Sequence, residues 1–213
     1  MRAKIAGYGI VAWLALAMCG PMASRGSADM VKFDASKGLG DFEFAKTGGG
    51  KPGEWSIVKN DAVQALAQTS TDSTDNRFPL AIYRPFAGRD VDVSTRFLPA
   101  AGKVDQAGGI VIRLTSANDY YVVRANALED NIRFYRVVGG RREMLAGANT
   151  KVSSKTWHAL GIVAKGDRFT ISFDGRELFT ANDRTFAGAG RIGLWTKSDS
   201  VTWFENIEVK PLD

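Results

Sequence analysis

From Val31 onward, apolar residues recur at every second position, and no window shows the 3.6-residue recurrence of an amphipathic helix. That period restricts the chain to strands whose two faces meet different surroundings. Between positions 90 and 97, Val91, Val93, Thr95 and Phe97 share one side, and from 168 to 174 Phe169, Ile171 and Phe173 do the same. Residues that tolerate positive φ separate such runs: Gly139-Gly140, Gly166-Asp167, Asp174-Gly175 and the stretch 116–119. The strands follow one another as an antiparallel meander of about a dozen, rich in Val, Ile, Phe, Tyr and Trp. The expected fold class is all-β, a two-sheet antiparallel sandwich of jelly-roll type, with a barrel as the alternative.

The first residues follow a different rule. Arg2 and Lys4 precede an uncharged run of 14 residues from Ile5 to Met18, and a polar stretch ends at Arg25-Gly26-Ser27-Ala28. The run is shorter than the roughly 20 residues of a spanning helix, and small Gly26 and Ala28 suit a signal peptidase. The expectation is a signal peptide over 1–28, export to the periplasm or the extracellular space, and one domain over 29–213. Cys19, the only cysteine, stands in Leu16-Ala17-Met18-Cys19, a variant of the lipoprotein box that leaves a lipid anchor as the less favoured form. Cleavage after Ala28 removes it, so the exported domain has no disulfide and depends on its core.

Charge excludes one class of partner. Of 28 basic residues, Arg2, Lys4 and Arg25 leave with the signal, and the remaining 25 nearly balance 23 acids. No Lys/Arg stripe tracks phosphates, so nucleic acid is not expected, and no later segment is apolar enough to span a membrane. The stretches 47–53 and 69–76 read as loops inside one domain, since strand-like sequence resumes on both sides.

No pattern of catalytic residues stands out. His158 is the only histidine and shares a strand face with Leu160 and Ile162, which points to a structural role and leaves no Ser-His-Asp triad or His-based zinc site. Asp90 and Asp92 share their strand face with Ser94 and Arg96, as on a solvated sheet face, and the Glu-x-Asp-x-x-Glu pattern of glucanases is absent. Gly48 to Gly53 lacks the Gly-Lys-Ser/Thr order of a phosphate loop and reads as a flexible surface loop. The sequence implies no cofactor, with calcium on Asp72, Asp75 and Asn76 the one metal left open.

Parity supplies a candidate site. With Ile110, Ile112 and Leu114, Tyr121 and Val123, Ile132 and Phe134, and Ile192 and Leu194 toward the core, the opposite face carries Arg113, Arg124, Asn126, Arg133, Tyr135, Trp195 and Lys197. A field of guanidinium, amide and aromatic groups suits a sugar, whose hydroxyls need donors and acceptors while its C–H faces stack on rings. The candidate ligand-binding set is Arg113, Arg124, Asn126, Trp195 and Lys197, with Glu129 and Asn131 from the adjoining turn. The same pattern also fits a half-exposed sheet laced with cross-strand salt bridges.

Three segments carry a family resemblance: Asp105-Gln106-Ala107-Gly108-Gly109-Ile110, the run Tyr120-Tyr121-Val122-Val123-Arg124-Ala125-Asn126-Ala127-Leu128-Glu129-Asp130-Asn131, and 193–202, which begins Gly193-Leu194-Trp195. Over about residues 55–209 the chain resembles the concanavalin A-like, laminin-G-like proteins akin to the bacterial 3-keto-disaccharide hydrolase domain. The resemblance implies a jelly roll of two curved sheets with a carbohydrate on the concave face. It leaves three functions open: a carbohydrate-binding protein, ranked first; a 3-keto-disaccharide hydrolase or other glycosidase-like enzyme; and a cell-envelope interaction domain without a small ligand.

Overall fold

The computed structural model describes residues 1, 30–33, 38–59 and 63–212, and among these it shows sixteen strands and no helix. Residues 2–28, where a signal peptide is expected, and Cys19 among them lie outside the described residues. The first strands are β1 (Val31–Lys32), β2 (Phe42–Gly48), β3 (Trp55–Lys59), β4 (Gln64–Gln68), β5 (Arg77–Gly88) and β6 (Val91–Ala101). The middle of the chain forms β7 (Ala107–Ser116), β8 (Asp119–Asn126), β9 (Asn131–Val138), β10 (Arg141–Asn149) and β11 (His158–Lys165). The last are β12 (Arg168–Phe173), β13 (Arg176–Asn182), β14 (Gly190–Thr196), β15 (Val201–Phe204) and β16 (Glu208–Pro211).

These strands make an antiparallel two-sheet sandwich. One sheet runs β13-β12-β11-β6-β15-β4-β3, with β16 also on β6 and β1 on β16, and the other runs β10-β9-β8-β7-β14-β5-β2. The period-two pattern sends one face of each sheet inward. Val91, Val93 and Phe97 of β6 and Phe169, Ile171 and Phe173 of β12 meet Ile110, Ile112, Tyr121, Val123, Phe134, Ile192 and Leu194 from the seven-stranded sheet in one buried cluster. Turn chemistry sets the register: Gly139 and Gly140, at φ 55° and 78°, close the two-residue hairpin that pairs Val138 with Arg141.

The outer face of the seven-stranded sheet is not a bare solvated surface. Phe78, Leu80, Val111, Leu114, Tyr120, Val122 and Trp195 form a second buried cluster there. Trp195 stacks on Phe78 at 5.4 Å, and the half-buried Arg142 of β10 lays its guanidinium 4.9 Å from the Phe78 ring, 4.5 Å from Tyr135 and 5.9 Å from Trp195. One edge of this face is tied down by Arg77, which is fully buried. Its guanidinium donates to the carbonyls of Lys51 (2.7 Å), Pro52 (2.9 Å) and Ser198 (2.5 Å). Gly48 to Gly53, expected to be a flexible surface loop, lies at the surface and is fastened through its Lys51 and Pro52 carbonyls to this buried cation.

Candidate functional site

A cluster of charged and amide side chains occupies one end of that outer face. Alternation along β8 turns Arg124 and Asn126 outward while Val123 and Ala125 enter the inter-sheet core. The tight turn after β8 pairs Asn126 with Asn131 and brings Glu129 back over the sheet. The Arg124 guanidinium, 5% exposed, bonds Glu129 Oε2 at 2.8 Å, the Asn131 amide oxygen, and the Tyr135 hydroxyl at 3.3 Å. Room for this arginine comes from Gly109, its cross-strand partner on β7, where a Cβ would stand 2.6 Å from the Val123 carbonyl oxygen and 3.1 Å from the Arg124 Cβ.

Beside Arg124 lies a second group built from three loops and the end of β8. The Lys197 ammonium sits 2.6 Å from Asp105 Oδ2 and 2.9 Å from Asp75 Oδ1, and Asn126 donates to Asp105 Oδ1 at 2.6 Å. Asp105 and Asn126 are each only 1% exposed, whereas Glu129 and Asp75 face solvent and form the mouth. Burial raises the Asp105 carboxyl above its ordinary value, opposed by the hydrogen bond and charge of Lys197. Burial also works against the Lys197 ammonium, but its two carboxylate partners outweigh that and raise its pKa. For Glu129, burial pushes the carboxyl up, and the Arg124 charge with the Asn131 and Arg124 hydrogen bonds brings it below the ordinary carboxylate range.

Five of the residues singled out by parity and resemblance, Arg124, Asn126, Glu129, Asn131 and Lys197, thus come together, but two expectations fail. Arg113 does not face this cluster. β7 is irregular between Ile112 and Ser116, Arg113 adopts φ 49°, and alternation breaks there. Its side chain, 1% exposed, lies 5.2 Å from the Phe169 ring and donates to the carbonyls of Arg89, Phe186 and Gly166 at 2.9, 2.9 and 2.6 Å. The same break moves Leu114 from the inter-sheet core to the outer cluster. Trp195 does lie on the outer face, yet it is 0% exposed under Phe78 and Arg142, so it offers no free plane to a sugar.

Two other expectations can be placed. Of the set Asp72, Asp75 and Asn76, Asp72 accepts the Lys51 and Thr74 N–H groups and the Thr74 hydroxyl, and Asp75 pairs with Lys197. No group of three or more His, Cys, Asp or Glu gathers among the described residues. His158 is buried between Phe97 and Phe173, with Nδ1 2.8 Å from Asp174 Oδ2 and Nε2 accepting from the Ser153 backbone N–H at 3.1 Å. It fastens a loop to β11, as its place among apolar neighbours suggested. Parity had no means of finding Asp105 or Asp75, which lie in loops; the signal available was a charged residue, Asp105, bordering the glycine-rich start of β7.

No protein-family model and no curated protein matches the chain, the 3-keto-disaccharide hydrolase domain included. Solved structures do. The carbohydrate-binding module CBM66 from Bacillus subtilis superposes with a TM-score of 0.62 at 22% identity, over 78% of this chain and 94% of that one. A protein of unknown function with a galectin-like fold, also from Bacillus subtilis, gives 0.57 at 10% identity over 79% and 89%. A protein of unknown function from Shewanella oneidensis gives 0.52 at 15% identity over 86% of each chain. At these identities the likeness establishes the fold, a two-sheet all-β sandwich of the kind the resemblance implied.

Proposed function

We propose that this chain is an exported carbohydrate-binding protein whose glycan site is the polar cluster around Arg124 at the end of the outer sheet face. The observation that carries the reading is the pre-set network of Arg124, Asn131, Asn126, Asp105 and Lys197, held by cross-strand pairing and opening to solvent at Glu129. The exposed Glu129 and Asp75 and the partly exposed Lys197 and Tyr135 offer groups to sugar hydroxyls, and the buried Arg124, Asn126, Asn131 and Asp105 hold them in place before any ligand arrives. The similarity in fold to the carbohydrate-binding module CBM66 from Bacillus subtilis supports this choice.

Binding is favoured over hydrolysis because each carboxylate of the cluster already holds a cation: Asp105 holds Lys197, and Glu129 holds Arg124. A glycosidase needs one carboxyl free to give a proton and a second free to attack or to activate water. A glycan array followed by calorimetric titration tests the reading. Saturable binding without release of reducing sugar supports it, and the absence of binding to any glycan overturns it.

We place the mature protein outside the cytoplasm, starting after residue 28, on the charge and apolar pattern of its first residues. N-terminal sequencing of the exported protein is expected to begin at Asp29. Soluble cytoplasmic protein retaining Met1 contradicts the placement.

A further inference from the structure

A cavity of about 780 Å³ opens at the same end of the sandwich, next to the cluster just described but lined by other side chains. Three segments enclose it: Thr71 and Ser73 after β4, the end of β6 and the loop after it from Ala100 to Val104 with Gln106, and Asp199 with Val201 at the start of β15, with Lys155 arriving from the loop before β11. The volume lies in the range of small-ligand sites. Asp105 and Gln106 divide the two regions, since Asp105 turns to Lys197 while Gln106 lines the cavity.

The lining has a definite chemical character. Ala100, Ala101, Val104 and Val201 supply apolar surface, with Val104 48% exposed, and Thr71 and Ser73 supply hydroxyls. Gln106 donates through Nε2 to the Gly102 carbonyl, and its Oε1 is buried with no hydrogen-bond partner among the described residues. The Gln106 side chain that carries this unpaired acceptor is partly exposed and lines the cavity, so a turn of its amide brings the oxygen to a ligand hydroxyl. Lys103 and Lys155 line the cavity, and neither ammonium has a carboxylate within salt-bridge distance among the described residues. Asp199, the one acid in the lining, accepts the backbone N–H groups of Lys103, Val104 and Asp105 at 2.7 to 3.1 Å, which occupies its oxygens and leaves the lining with two ammonium groups against one carboxylate. Lys155 takes a left-handed conformation, φ 58°, held by its N–H on the Pro99 carbonyl at 2.9 Å.

From this we infer a second subsite that takes an anionic sugar unit, one bearing a carboxylate or a sulfate, with Lys103 and Lys155 on the anion, the Gln106 amide oxygen on a hydroxyl, and the alanine and valine wall against the C–H face. The inference rests on the reading of the protein as a glycan binder and names the substrate class: a chain that carries acidic residues.

The test is calorimetric titration of the full chain with oligogalacturonides, sulfated galacto-oligosaccharides and their neutral counterparts, at low and high salt. One or both acidic sets should bind about tenfold more tightly than the neutral ones, and the acidic set that does so distinguishes carboxylate from sulfate. High salt should narrow the preference, and the double variant Lys103→Ala with Lys155→Ala should abolish it while leaving the thermal midpoint and neutral-sugar affinity unchanged. Gln106→Ala should weaken acidic and neutral ligands that reach the cavity without altering the charge preference. Equal affinity for acidic and neutral sets, or a preference that survives the double variant, overturns the subsite alone if neutral binding is still lost in Arg124→Ala. Binding of no glycan of either kind overturns the subsite together with the glycan reading.

Discussion

The Lys197 ammonium lies 2.6 Å from a carboxylate oxygen of Asp105, and Asp105 is only 1% exposed. The two residues come from loops 92 positions apart and close one end of the outer face. Taking one charge away from such a pair leaves the other desolvated without compensation. Lys197→Met is therefore expected to lower stability by about 3 to 5 kcal/mol in urea unfolding, while adding Asp105→Asn to it recovers a large part of the loss. Asp105→Asn alone has a smaller effect, because Lys197 keeps Asp75 at 2.9 Å.

Much of this was legible in the sequence. The alternation of Tyr121, Val123 and Ala125 with Arg124 and Asn126 placed two site residues on the outer face, and the Gly139-Gly140 pair placed a hairpin. What parity could not reveal was a change in its own phase. Nothing in Ile112-Arg113-Leu114-Thr115 marks the irregularity that turns Arg113 away, since the residue that takes positive φ is an arginine and not a glycine. The burial of Trp195 was hidden for another reason: its covers, Phe78 and Arg142, come from β5 and β10, and only the folded order of strands brings them together.

Those two corrections make a prediction of their own. Trp195→Ala removes the largest ring of the outer cluster and should cost about 3 to 5 kcal/mol, as a buried aromatic does, and it should resemble the core substitution Ile171→Ala more than a surface change. Arg113→Leu strands three carbonyls and should be similarly destabilising, yet the protein that remains folded should keep its glycan affinity. Thermal unfolding beside ligand titration separates the two effects. A Trp195→Ala protein of unchanged stability with lost affinity would place Trp195 in the binding surface after all.

A pH dependence follows from Asp199. Burial pushes its carboxyl up, but the three backbone N–H groups of Lys103, Asp105 and Val104 outweigh that and hold it below the ordinary carboxylate value. A depressed native pKa means that the unfolded chain takes up the proton first as pH falls. The stabilisation is thus complete above the ordinary carboxylate range and is lost as pH drops through the native value. Asp199→Asn should lower stability at pH 7 and make little difference in strong acid, as measured by urea midpoints across that range. An offset that does not shrink in acid contradicts the assignment.

Metal removal should change nothing. The Asp72 oxygens are taken by Lys51 and Thr74, and Asp75 is held by Lys197, so none of them is arranged around a cation. Titration after treatment with a chelator, and again with added calcium, should give one affinity; a calcium requirement would mean that this loop rearranges to bind it.

The account depends most on Arg124, whose fork joins Glu129, Asn131 and Tyr135. The most direct measurement is the affinity of Arg124→Lys and Arg124→Ala for the best oligosaccharide found on the array. Lysine keeps the charge but not the planar set of donors, so both variants should bind about 1 to 3 kcal/mol more weakly, alanine no better than lysine, in a protein that still unfolds cooperatively. Unchanged affinity and stoichiometry in Arg124→Ala would place the glycan elsewhere on the molecule and contradict the central claim.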